Sequence, residues 1–96
     1  MHVITKKALV RFWGLYADAK DPLKAWHSIC EQSNFENIAQ LKQSFRHADK
    51  VGKFVVFNIH GNKYRLVTTV HFKYRKIYIR DVLTHEEYDQ DHWKRE

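Results

Sequence analysis

The spacing of apolar residues changes near Lys53, and this change most strongly limits how the chain can fold. Before Lys53, apolar residues recur at helical spacing, which is typical of amphipathic helices. From Lys53 to Asp89 the chain instead contains β-rich runs, turn signals and one helix start. We therefore expect an α+β fold, in which N-terminal helices pack on one face of a small, antiparallel-rich sheet and a short helix follows it.

The first half of the chain is predicted to contain a short edge strand and three helices. Thr, Asp and Ser can each cap a helix, Pro is tolerated in a first turn, and Glu three residues after Ser completes a capping box. The single cysteine, Cys30, is predicted to be a packing residue in the second helix. The predicted segments are a strand over 1–4, a helix from Thr5 to about Ala17, a helix starting at Asp21-Pro22, a helix opened by Ser33 and Glu36, and a turn-rich connection from His47 to Gly52.

The second half is predicted to form three strands and a helix start. The run Phe54–Phe57 is apolar throughout, which indicates a central strand covered on both faces. A second capping box, Thr84 with Glu87, places His85 at the first position of a helix and Tyr88 one turn later. The other predicted segments are a hairpin turn at His60-Gly61-Asn62, a strand over 64–72, a charged turn over 73–76 and a strand over 77–83.

Length and charge limit the class of protein. The chain has 96 residues, which fits one domain over 1–96, and its net charge of +6 favours a polyanionic partner. One cysteine, no secretory signal and no run of membrane-spanning length favour the cytoplasm and no membrane contact. The basic residues of the β-rich stretch, Lys63, Arg65, Lys73, Arg75, Lys76 and Arg80, lie beside the aromatic residues Tyr64, Phe72, Tyr74 and Tyr78.

Arg65, His85 and Tyr88 together could cleave RNA without a metal ion. Attack of a 2′-OH on the adjacent phosphate needs a base, a cation for the charged phosphorane and a donor for the leaving 5′-oxygen. Histidine, arginine and tyrosine can fill these roles. The alternative is structural: Arg65 pairs with a nearby acid, His85 is an ordinary first-turn residue, and Tyr88 packs its ring. The seven histidines show no metal-binding spacing, so neither a zinc site nor another cofactor is expected.

Three segments resemble the HigB family of bacterial toxins, within the RelE/ParE group of toxin–antitoxin modules. They are the opening MHVITKKAL, the run VVFNIHGNKYRLV and the close YIRDVLTHEEYD. The resemblance implies a RelE/ParE-like sheet with a concave basic surface, and a bacterial endoribonuclease (an mRNA interferase) that cuts mRNA, in several relatives only on the ribosome. It also implies a HigA-type helix-turn-helix antitoxin, through which the toxin is connected to operator DNA.

The resemblance also assigns roles to individual residues. It implies that Arg65 contacts phosphate and that His85 and Tyr88 are catalytic. RelE-type enzymes carry a cluster of Arg or Lys where this chain has His85, which leaves open which group is the base. Two other functions remain open: a gyrase-inhibiting toxin of the same fold, and a non-catalytic nucleic-acid-binding module. The remaining candidate RNA contacts are Asn58, Asn62 and Lys63 in the family motif, and Lys73, Arg75 and Lys76 in the charged turn.

Overall fold

A computed structural model, which describes residues 1–94, has the predicted α+β architecture. The described residues form one five-stranded sheet in the order β1-β5-β4-β3-β2, in which β1 is parallel to β5 and every other pair is antiparallel. The strands are β1 (His2–Ile4), β2 (Asp49–Val51), β3 (Phe54–Ile59), β4 (Tyr64–His71) and β5 (Lys76–Thr84); the helices are α1 (Lys6–Leu15), α2 (Lys20–Gln32), α3 (Ile38–Ser44) and α4 (His85–Asp89), with 3-10 helices at Ala17–Ala19 and His92–Lys94.

Helices α1, α2 and α3 cover one face of the sheet and form the larger core with it. Alternate residues of the strands point to this side, because side chains in a strand alternate between its two faces. Phe57 of β3, for example, contacts Trp26 of α2 and Phe45 at the end of α3, with ring centroids 5.3 and 5.0 Å apart. The large aliphatic side chains that are fully buried in this core are Leu9, Leu23, Leu41, Leu66 and Ile77.

The opposite face of the sheet, called here the open face, carries a much smaller apolar cluster. Its members are Phe54, Val56, Val67 and Leu83, and Trp93 of the C-terminal segment packs on them. Trp93 therefore packs against the sheet, and the C-terminal segment covers only part of this face. The arrangement leaves room for a site on the open face.

Several predicted boundaries are wrong in detail. Helix α1 ends at Leu15, not near Ala17, and Thr5 stands at its N-cap position without a side-chain cap bond. Helix α2 begins at Lys20, one residue before the predicted Asp21-Pro22 start, which places Pro22 within the first turn. These shifts are of the size at which helix ends ordinarily fray.

The predicted capping box at Ser33 is also wrong. The Ser33 hydroxyl donates to the carbonyl of Ile29 at 2.6 Å, so it bonds to the end of α2. Helix α3 starts later, at Ile38, where Asn37 is the cap and its Oδ1 accepts from the Gln40 N–H at 2.9 Å. The box at Thr84 and Glu87, in contrast, is confirmed with both of its bonds.

Three further differences concern the strands. The predicted turn-rich connection from His47 to Gly52 contains the short strand β2, which pairs with β3. Strand β3 is internal, as expected, but β4 occupies the middle of the sheet. In the hairpin turn, His60 and Gly61 have positive φ angles of 55° and 65°, whereas the sequence favoured Gly61 and Asn62.

Cys30 is buried in the larger core, as predicted, and this burial raises the pKa of its thiol to about 12. A thiol held protonated in this way is a poor nucleophile. Within residues 1–94, none of the helices is both long and apolar enough to cross a membrane.

Candidate active site

A cleft of about 380 Å³ opens on the open face, at the end of the sheet where β4 begins and β5 ends. Strands β3 and β4 form its floor, the loop between α3 and β2 forms one wall, and α4 forms the other. Arg65 and Tyr88, two of the three residues predicted to be catalytic, both line it. The remaining lining residues are Arg46, His47, Ala48, Asp49, Val56 and Asn58.

Arg65 is held in a defined position beside Tyr88. It is the second residue of β4, and its Nη1 donates to the carbonyl oxygens of Asn62 at 2.8 Å and Tyr64 at 3.4 Å. Its Cζ lies 5.2 Å from the ring centroid of Tyr88, a cation–π contact. Both hydrogen bonds use the same nitrogen, so the rest of the planar guanidinium can bind an anion such as phosphate.

Tyr88 is supported from behind by Trp93. The two rings stack with centroids 4.9 Å apart and planes 13° apart, and the Trp93 Nε1–H donates to the Tyr88 carbonyl at 2.9 Å. Trp93 in turn contacts the ring of Phe54 edge-on at 5.6 Å. Burial raises the pKa of the Tyr88 hydroxyl, and nearby Asp49 raises it further, although Arg65 opposes them. Tyr88 is therefore protonated at neutral pH and can donate a hydrogen bond or a proton.

His85 is not among the residues that line the cleft. Leu83 pairs with Arg65 across β4 and β5, so His85 follows two residues beyond that pair. Its backbone N–H donates to the carbonyl of Lys63 at 3.1 Å, and its Nε2 lies 3.2 Å from a carboxylate oxygen of Asp89. The structure thus brings Arg65 and Tyr88 together and places His85 near them with an acidic partner of its own.

The loop before β2 contributes cleft residues that the sequence analysis missed. Arg46 and His47 reach the cleft because the pairing of Asp49 with Val56 brings the start of β2 beside β3. The only signal in the sequence is an Arg-His pair after an amphipathic helix, which an ordinary basic surface would also show. His47 is a second histidine that can serve as a base next to Arg65 and Tyr88.

The predicted RNA contacts of the family motif divide into two groups. Asn58 lines the cleft, and its Nδ2 donates to Oδ1 of Asn62 at 3.2 Å. Lys63 instead forms an ion pair with Asp18, which also accepts from the Tyr64 hydroxyl at 2.6 Å. The hydrogen bond to Asp18 raises the pKa of Lys63. Lys63 therefore connects the hairpin turn to the helix layer, and its charge is partly neutralised.

Lys73, Arg75 and Lys76, the predicted basic turn, lie at the opposite end of the open face. They join the end of β4 to the start of β5, whereas the cleft lies where β4 starts and β5 ends. Their side chains are exposed. They therefore belong to a surface separate from the cleft. Across residues 1–94, no group of three or more His, Cys, Asp or Glu side chains is placed to hold a metal ion.

Comparisons with known proteins identify the family of the chain. Residues 19–91 match the HigB toxin family, described as the RelE-like toxic component of a toxin–antitoxin system. The chain belongs to the HigB toxin family. It is 39% identical over 92 residues to the mRNA interferase toxin HigB of Escherichia coli K12, covering 93% of this chain and 88% of that protein. An mRNA interferase HigB of Escherichia coli O6:H1 is 20% identical over 93 residues, covering 94% and 90%.

Membership of the HigB family confirms the resemblance found in the sequence. A toxic component of this kind has an antitoxin as its partner. The matched range contains Arg65, Tyr88, His47 and His85, and it ends just before Trp93.

Proposed function

We propose that this HigB toxin is an mRNA endoribonuclease that blocks translation by cutting mRNA in the cleft. The observation that carries the proposal is the guanidinium of Arg65, fixed against a protonated Tyr88 in a cleft that also contains a histidine. These are the groups that metal-independent cleavage of RNA requires. The mRNA interferase names of its relatives support the same activity.

In the proposed reaction, the 2′-oxygen attacks the adjacent phosphorus and the bond to the 5′-oxygen breaks, leaving a 2′,3′-cyclic phosphate. A histidine takes the proton from the 2′-OH. Arg65 binds the non-bridging oxygens and stabilises the additional charge of the phosphorane. Tyr88 donates its proton, or a hydrogen bond, to the leaving 5′-oxygen, for which its raised pKa keeps it protonated.

His85 and His47 are the two candidates for the base. His85 begins α4, where Asp89 can orient its ring. His47 lines the cleft itself together with Arg65 and Tyr88. Because a general base must come within hydrogen-bonding reach of the proton that it removes, the lining favours His47.

The remaining parts of the proposal concern domain organisation and partners. We propose that residues 1–96 form one domain that acts in the bacterial cytoplasm on mRNA bound to the ribosome. Asn58 and Asn62 would contact RNA at the cleft, and Lys63 would support them. The antitoxin would be a HigA-type helix-turn-helix protein, through which the toxin is connected to operator DNA.

The proposal is tested by mapping new RNA 5′ ends across the transcriptome, shortly after the protein is induced in bacteria. We expect new ends within translated frames. Arg65→Ala should reduce them by about 10²–10³-fold, the usual effect of removing one donor to a developing anion. Lys42→Ala, which removes an exposed charge on the helix-covered side, is the matched control and should cleave normally.

The outcomes separate the competing functions. New ends that persist in Arg65→Ala would refute the assigned site but not the activity. Growth arrest without new ends would refute the nuclease and make gyrase the leading target. Ends outside translated frames would refute dependence on the ribosome.

A further inference from the structure

A second cluster of aromatic and basic side chains lies on the open face, at the end of the sheet away from the cleft. His71, Tyr74, Lys76 and Tyr78 line a hollow there of about 260 Å³. We call these four residues the distal patch. Tyr74, on the turn between β4 and β5, has 66% of its surface exposed, which is unusual for a large aromatic residue.

Strand register places the distal patch on the same face as the cleft. His71 pairs with Lys76 and Thr69 pairs with Tyr78, so these side chains share one side of the sheet. His71 follows Arg65 by six residues of β4, an even number, which keeps both on the open face. At about 3.4 Å per residue, roughly 20 Å separates them along the strand.

The chemistry of the distal patch suits a single strand of nucleic acid. The rings of His71 and Tyr78 meet edge-on, with centroids 5.1 Å apart, and Tyr74 presents its ring to solvent. Lys73 lies over the ring of Tyr74, its Nζ 5.6 Å from the centroid. None of the residues that line this hollow is acidic. Aromatic rings interleaved with unneutralised cations form the usual stacking platform for single-stranded RNA, since every base has a π-face and every linkage a negative charge.

From this placement we infer that the distal patch binds the RNA strand that occupies the cleft, a few nucleotides from the scissile phosphate. Bases stack on Tyr74 and Tyr78, and phosphates between the two sites are bound by Lys73, Arg75 and Lys76. The inference rests on the proposed function. It explains why a basic turn lies on the open face but too far from the cleft to join the reaction.

The direct test replaces Tyr74 with a photo-crosslinking phenylalanine derivative in the full-length, active protein. Cells are irradiated after brief induction, and the crosslinked molecules are identified by sequencing and mass spectrometry. Leu15, which is 78% exposed on helix α1, carries the same probe in the matched control. We expect mRNA crosslinks at position 74, clustered a few nucleotides from new 5′ ends and at least tenfold above those at position 15.

Each other outcome overturns the inference in a distinct way. Crosslinks mainly to the antitoxin or to ribosomal RNA would assign the surface to that partner. New 5′ ends without mRNA crosslinks at position 74 would refute the distal patch and leave the nuclease intact. If no new 5′ ends form, the proposed function fails, and the inference fails with it.

Substitutions provide an independent measurement. Tyr74→Ser should weaken RNA binding by about 5- to 100-fold, the range for removing one stacking ring, whereas Tyr74→Phe should keep wild-type affinity. Binding is measured with uniformly 2′-O-methylated single strands on ribosomes and, separately, on free protein. A strand too short to reach beyond the cleft should bind Tyr74→Ser and wild type equally. Equal loss for long and short strands would contradict the inference.

Discussion

The two faces of the sheet differ in how they are covered, and the difference separates stability from activity. The helix-covered face buries a continuous core in which Leu9, Leu23 and Leu66 have no exposed surface. The open face has only the small cluster around Val56 and Val67, covered by the C-terminal segment. The larger core can hold the sheet rigid without help from the open face, which leaves the open face available to bind a substrate.

Adjacent residues of β4 show how one strand serves both purposes. Leu66 points into the helix-side core, while Arg65 and Val67 on either side of it point to the open face. The core packed behind such a strand holds a functional side chain on its open face in a fixed position. Changes on the two faces should therefore have separable effects on folding and on cleavage.

The largest expected effect on activity alone is that of His47→Ala. If His47 is the base, its removal should slow cleavage by about 10²–10⁴-fold without changing stability, because the side chain is exposed. Cleavage of ribosome-bound mRNA and urea unfolding are the two measurements. His85→Ala is the matched control and should cause a smaller loss. The reverse order would make His85 the base and show that the cleft rearranges when RNA binds.

The largest expected effect on stability is that of Leu66→Ala, compared with Val67→Ala. Removing a fully buried leucine should cost about 2–5 kcal/mol of unfolding free energy, measured in urea. Molecules that remain folded should still cleave normally, because the cleft lies on the other face. Val67→Ala should cost less stability and reduce cleavage more. If the loss of cleavage relative to the loss of unfolding free energy were the same in both variants, the two faces would not have separable roles.

Trp93→Ala should affect the open face selectively, with an intermediate effect. It removes both the ring that stacks on Tyr88 and the Nε1–H bond to the Tyr88 carbonyl. We expect the maximal rate of cleavage to fall by up to about 100-fold, as misplacing a catalytic group does, with little change in RNA affinity. Trp93→Phe, which keeps an aromatic ring, should recover part of the rate.

The matched control for Trp93 is Trp26→Ala, which removes the same ring from the helix-covered face. It should reduce stability and leave the activity of folded molecules unchanged, since Trp26 packs on Phe57 away from the cleft. Wild-type rates in Trp93→Ala would show that Tyr88 needs no support from the C-terminal segment.

The sequence predicts the sheet better than the helix boundaries, for physical reasons. Strand side chains alternate between the helix-covered face and the open face, so β3, β4 and β5 each carry a residue pattern that indicates a strand. Helix starts depend on which of several competent caps is used. Ser33 could cap a helix, but it bonds back to Ile29, and Asn37 takes the role for α3. The local sequence contains both possible caps and does not indicate which of them begins the helix.

The candidate site is predictable only where neighbours in sequence remain neighbours in space. The Thr84–Glu87 box fixes α4 and so places Tyr88, while the strand pattern places Arg65. The contribution of His47 depends on the pairing of β2 with β3, and β2 has only three residues. So short a strand carries too little pattern to be recognised. The basic turn was predicted correctly as charged, but its distance from the cleft depends on the length of β4.

The smallest expected effect concerns Asp18, which connects the helix layer to the hairpin turn before β4, at the end of the sheet that carries the cleft. Its carboxylate pairs with Lys63 and accepts from the Tyr64 hydroxyl, and the hydrogen bond to Lys63 is the main reason that the pKa of Asp18 lies below its usual 3.8. A carboxylate with a lowered pKa stabilises the fold above its ordinary pKa, and this contribution is lost as the pH falls through the lowered value. Asp18→Asn should therefore unfold at a slightly lower temperature than wild type at neutral pH.

The difference in melting temperature between wild type and Asp18→Asn should shrink as the pH falls below about 3.8. A difference that persists in acid would mean that the asparagine disturbs packing and that the ion pair has no measurable role. Normal cleavage by folded Asp18→Asn would show that the Asp18–Lys63 contact contributes to stability, as the helix-covered face does, and not to activity. A cleavage defect would mean that the position of Arg65 in the cleft depends on this contact.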